Sequence, residues 1–260
     1  MQATTIDEVI RALNDIVDWA WQQKSRAGYF AALYRRITQA VKDGIASGRF
    51  QNGPRMEQLD VTFANRYLQA FEQFRAGQQP TVSWQVAFQC ASEWQPIVVQ
   101  QLLVGINAHI GLDLGVAAAL TAPGDQIQGL KTDFDEINAV LAGEVGTVEK
   151  EIGVISPLIG LLQTFGLRTE TQIINFNMTV ARDVAWSDAV RMASLAPDQM
   201  PAAIADLDAR VQLLGRLVIS PPALTKLQLS PIRACESNNV QRILNVLAGK
   251  KASARIAGPI

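Results

Sequence analysis

The sequence predicts an all-α fold, a multi-helix bundle around one long, apolar central helix. Three observations carry this. Apolar residues recur at helical spacing along most of the chain, and strand-type alternation is hard to find. Long stretches are rich in Ala, Leu, Gln, Glu and Arg, which lose little rotamer freedom in a helix. Gly and Pro fall mostly between the periodic segments, where they end helices.

The first helix is expected over 5–23, with Ile6, Val9, Ile10, Leu13, Ile16 and Val17 on one face. A second runs over 29–47 and is ended by Gly48. Asn52, Gly53 and Pro54 break the chain before a third helix at 56–75, which Gly77 and Pro80 close. Ser83 is placed to cap a short helix reaching Cys90. The central helix spans 96–121, with Pro96 in its first turn, and Pro123-Gly124 ends it. It is apolar on most sides, but Gln100, Gln101, Asn107, His109 and Asp113 make it a bundle helix rather than a membrane span. Further helices are expected over 127–152, 156–166, 169–195, 201–218 and 236–247. Residues 1–250 then form a single domain, and 251–260 a flexible tail.

Lys and Arg total 23 against 24 Asp and Glu, so no basic excess exists to neutralise phosphates or anionic lipid. Nucleic acid and membranes are therefore not expected partners. Cys90 and Cys235 are isolated thiols, read as buried small hydrophobes in a reducing, cytoplasmic setting. The first residues lack a basic start followed by an apolar run, so no signal peptide is expected.

The strongest chemical signal is the stretch from Gly105 to Gly115. His109 and Asp113 lie four residues apart, on one helix face. A carboxylate there can fix the imidazole tautomer and raise the basicity of its other nitrogen, which is half of a triad-type arrangement. The same pair can ligate a metal, or satisfy itself inside a core. Gly105, Gly111 and Gly115 each cost about 1 kcal/mol in a helix relative to Ala, so they signal close approach of another helix or a ligand. His109 is the sole histidine, which argues against multi-histidine zinc and di-iron sites. No metal or other cofactor is expected; the alternative is a hard divalent ion held by carboxylates.

Three other features add candidates. Asp60, Phe63 and Tyr67 share a helix face, where Asp60 interrupts an apolar stripe beside Arg66. Asp133, Asp135, Glu136 and Asn138 cluster near a helix start, either as ion ligands or as ordinary dipole-favoured acids. Arg182 and Trp186 are one turn apart, so the guanidinium can stack on the indole, and Arg182 can bind a carboxylate of the protein or of a ligand.

Together these segments resemble a bacterial family of uncharacterised proteins, domain of unknown function 5995. The matching stretches are LDVTFANRYLQAF (59–71), Trp84 with Ala87 and Phe88, QLLVGINAHIGLDLG (101–115), DFDEIN (133–138), and Ala181 to Trp186. The resemblance covers most of 28–195, and GINAHI-x-LDLG is its most specific part. It implies a shared fold, and that Asp60, Arg66, Asn107, His109, Asp113, Asp135, Asn138 and Arg182 act together. It assigns none of them a role.

The functional expectation is a metal-independent enzyme acting on a small, largely apolar metabolite, with isomerase or cyclase chemistry favoured over hydrolysis. His109, Asp113 and Asp60 are the catalytic candidates. Arg182, Arg66, Tyr67, Asn107, Asp135, Asn138 and Trp186 are the substrate-binding candidates. The alternatives are a non-catalytic binding protein for an apolar ligand and a structural, homo-oligomeric helical protein.

Overall fold

In a computed structural model, which describes residues 2–159 and 178–250, every regular element is helical. Thr5 caps α1 (Ile6–Gln23): its side chain accepts from the Glu8 backbone N–H, and the Glu8 carboxylate bonds back to Thr4. Its apolar stripe packs on α2 (Tyr29–Ala46). Asn52 caps α3 (Gly53–Arg75), so the Asn-Gly-Pro break is itself the helix start, three residues ahead of the expected one. Two further N–H groups at this junction, of Gln51 and Asn52, donate to the Asp133 carboxylate.

The helix α4 (Val82–Ser92) is capped from afar. Asp208 accepts from the backbone N–H groups of Val82 and Ser83, at 2.7 and 2.9 Å. Ser83 is therefore not the cap its sequence position suggests; a buried carboxylate from another helix supplies the acceptor instead.

The central helix runs over 98–121 as α5 (Val98–Ala108), a π-helical segment (His109–Leu114) and α6 (Gly115–Thr121). Pro96 lies ahead of its first turn. Glu236 and Gln100 accept from the Val98 and Ile97 N–H groups there. By length and composition this helix could cross a membrane, but 83% of its most apolar window is buried inside the fold. Gly105 lies against the Phe30 ring, Gly111 against Val211 and Gly115 against the backbone oxygen of Ala185. All three glycines thus mark close packing of neighbouring chain.

Around this axis stand α7 (Gln126–Ile155), α8 (Met178–Ala193), α9 (Met200–Ile219), α10 (Ala223–Cys235) and α11 (Val240–Leu247). α8 packs along α6 and the π segment; α9 packs on α4 and α5; α11 packs on α2 and α7. No helix was expected where α10 stands; it carries Pro231 in its interior. The expected helix at 156–166, the start of the one at 169–195 and the tail 251–260 lie outside the described residues. Cys90 is buried as expected, but Cys235, the last residue of α10, is exposed.

Candidate functional site

The π-helical turn holds His109 and Asp113 at the middle of the central helix, both almost fully buried. Such turns are frequent at functional sites because they re-aim side chains at the cost of regular hydrogen bonding. Three donors converge on the Asp113 carboxylate. Arg66 Nε meets Oδ1 at 2.8 Å, Trp84 Nε1 meets Oδ2 at 2.9 Å, and His109 Nδ1 lies 3.1 Å from Oδ2. An ionised carboxylate only accepts, so the hydrogen-bond network assigns the proton to Nδ1 of His109. The lone pair is then on Nε2, a buried atom without a hydrogen-bond partner among the described residues. Burial pushes the His109 pKa below its ordinary value against the opposing pull of Asp113. The imidazole is thus a neutral base at neutral pH.

Aromatic rings enclose it. The Phe63 ring stacks on the imidazole, and Tyr34 and Phe30 present edge contacts at centroid distances of 4.5 and 5.4 Å. His109 lines a cavity of about 360 Å³ whose walls are mostly aliphatic and aromatic side chains of α2, α3, α5 and α7. That volume lies at the lower end of the ~300–1,000 Å³ of small-molecule sites.

Asp60 of α3 lines the same cavity. Its Oδ2 is buried without a hydrogen-bond partner among the described residues, and burial, reinforced by the Glu57 charge, raises its pKa to about 7. Arg182 of α8 and Asn138 of α7 line it as well. Arg182 Nε donates to Asn138 Oδ1 at 2.7 Å, another guanidinium N–H donates to the Phe134 carbonyl, and the guanidinium lies over the Phe134 ring. The expected stack of Arg182 on Trp186 is not formed. Trp186 packs on Phe134 and takes Lys131 over its face.

The structure therefore brings His109, Asp113, Asp60, Asn138 and Arg182 to one cavity or its immediate support. The remaining candidates lie elsewhere. Arg66 is occupied by Asp113 and borders a separate polar cleft. Tyr67 is buried among aromatic rings away from the cavity lining. Asn107 ties the central helix to α9 through the Val211 carbonyl. Asp135 is half-exposed and pairs with Lys131. The acids of the 133–136 stretch part company, since Asp133 caps the α3 junction and Glu136 pairs with Arg49. No group of three or more His, Cys, Asp or Glu fit to hold a metal occurs among the described residues.

Sequence reasoning did not assign Phe63, Tyr34 or Trp84 to the site. The Phe63 and Trp84 signals were present, as an aromatic on the Asp60 face and an indole N–H in an apolar helix. Nothing in the sequence marked Tyr34.

The fold and site define an all-α bundle that buries a carboxylate-oriented histidine beside an apolar cavity. The chain belongs to the family of unknown function DUF5995, whose family model matches residues 6–221. No curated protein and no solved structure matches it.

Proposed function

We propose that this protein is an enzyme that rearranges a small, largely apolar metabolite by metal-independent acid–base chemistry, with His109 as the proton acceptor. One observation carries the reading: the buried Nε2 of His109 has no hydrogen-bond partner among the described residues, while Nδ1 is held by Asp113 at the wall of an apolar cavity. A base so placed abstracts a proton best when its pKa lies near the working pH. Asp60, with a pKa of about 7, can return that proton or take part as the acid. Proton transfer alone suffices for isomerisation or cyclisation, whereas hydrolysis needs water in a site walled by aliphatic and aromatic groups. Arg182 and Asn138 supply the polar anchor. Two free cysteines favour a cytoplasmic setting.

The apolar lining also favours a second reading, a non-catalytic carrier of an apolar ligand. Deuterium exchange separates the two. The ligand is extracted from the purified protein, identified by mass spectrometry and returned in D₂O. The enzyme reading expects deuterium at a ligand carbon, or a rearranged product, both lost in His109→Ala while the ligand stays bound. A ligand that binds but neither exchanges nor changes would establish the carrier.

A further inference from the structure

Arg182 is 3% exposed, and its pKa, brought down to about 10 by burial, leaves it charged at neutral pH. A buried cation is ordinarily matched by an anion, because taking it from water is costly. Here both bonded acceptors, the Asn138 amide oxygen and the Phe134 carbonyl, are neutral. Among the described residues no carboxylate pairs directly with the guanidinium; those of Asp135 and Asp183 act on it from beyond ion-pair distance. Among the described residues two of its five N–H groups find acceptors, which leaves three.

Arg182 lines the cavity that His109 and Asp60 line, and it is the one Lys or Arg among the described lining residues. One positive charge balances one negative charge. A phosphomonoester, with a charge of about −1.5 to −2, would bring surplus negative charge beside Asp60 and Glu144. A carboxylate brings a single charge, and its two oxygens match the planar fork of a guanidinium. At about 30 Å³ for each water-sized group, the cavity holds roughly a dozen of them.

We propose that the cavity binds an apolar carboxylic acid of about a dozen non-hydrogen atoms, its carboxylate on Arg182 and Asn138 and its hydrocarbon body in the chamber lined by His109. The inference rests on the reading above in taking this cavity as the substrate site. It adds the chemical class of that substrate.

Decanoic acid and decan-1-ol test it, since they share a chain and differ in the charge. Their binding to the delipidated protein is measured by calorimetry at pH 6, where the acid is ionised and Asp60 is still largely protonated. The acid is expected to bind at least tenfold more tightly than the alcohol. Arg182→Gln should abolish that preference, and Arg182→Lys should retain part of it. Equal affinities in the wild-type protein overturn the proposal, as does binding of neither compound or a preference that survives in Arg182→Gln. The wild-type comparison decides the matter even if the variants fail to fold. Acid preference without deuterium exchange into any bound ligand would fell the enzyme reading and leave this inference standing. Exchange into a neutral ligand, with no preference for the acid, would do the reverse.

Discussion

The imidazole of His109 lies flat against the ring of Phe63, with centroids 3.6 Å apart and planes within 10°. The stack closes one face of the base to water. It leaves the imidazole edge, with Nδ1 on Asp113 and Nε2 unpartnered, as the polar part of the ring. Burial is the larger influence on its titration and Asp113 the smaller, so the neutral form is favoured in the folded protein.

His109 is the one histidine in the chain, so its nitrogen resonances can be followed without assignment. They should report a neutral ring protonated on Nδ1 at pH 7, with a pKa below 6.5. As pH falls, the unfolded chain takes this proton first, so the His109 contribution to stability is present above about 6.5 and is lost below it. Phe63→Ala should raise the pKa toward its ordinary value and cost about 3–5 kcal/mol of stability. An imidazole that titrates normally in the wild-type protein would contradict this account of the site.

Asp113→Asn is expected to cost about 3 kcal/mol, because it removes the shared acceptor of Arg66, Trp84 and His109 from a buried position. The amide keeps one accepting oxygen in place of two, and it no longer selects the Nδ1–H tautomer. Denaturant midpoints give the first effect, and the nitrogen shifts of His109 the second. A variant as stable as the wild type, with an unchanged tautomer, would mean that Asp113 does not position the ring.

Helix periodicity and helix breakers made most of the fold legible, and the i,i+4 pair His109–Asp113 made the centre of the site legible, because both are local. What stayed hidden depends on tertiary contact. Asp208 capping α4 lies 125 residues from Ser83, and no local pattern announces it. The helix α10, which no expected element covers, forms despite Pro231 inside it, where packing of residues such as Leu229 and Ile232 outweighs one lost hydrogen bond. In the sequence Asp60 interrupts an apolar stripe and Asp135 belongs to an acidic cluster near a helix start, and neither setting tells what the side chain faces. Only the packing of α3 and α7 shows that one faces the cavity and the other faces Lys131.

That contrast is testable. Asp135 is half-exposed and its partner Lys131 is one turn away on the same helix, an arrangement worth only a few tenths of a kcal/mol. Asp135→Asn should therefore change stability by less than about 0.5 kcal/mol and leave ligand binding as it is. Impaired binding would return Asp135 to the site.

At Gly115 the backbone of α6 lies close against α8. A Cβ there would lie 3.0 Å from the backbone oxygen of Ala185 and 3.3 Å from the Met192 methyl. The methionine can yield, but the carbonyl belongs to the helix that carries Arg182. Gly115→Ala should cost about 1–3 kcal/mol despite the better helix propensity of Ala. It should also weaken ligand binding by displacing α8. Thermal denaturation and calorimetry read the two effects, and a stabilised variant would mean that α8 moves without strain.

Asp60 provides the opposite pH signature to His109. Its pKa is raised to about 7 in the folded protein, against 3.8 ordinarily. Between those values the folded state holds a proton that the unfolded chain has released. The Asp60 contribution to stability is therefore greatest below about pH 4 and is lost as pH rises through 7, a change of at most roughly 4 kcal/mol. Asp60→Asn removes the titration and keeps the shape. At pH 4.5 the variant should match the wild type to within about 1 kcal/mol, because a neutral amide replaces a largely neutral acid. At pH 8 it should be the more stable of the two by a few kcal/mol, because the wild type then carries a buried, unpartnered carboxylate. Urea unfolding at the two pH values checks this. A difference between variant and wild type that does not change with pH would place the ionised Asp60 in contact with water and remove it from the acid–base pair.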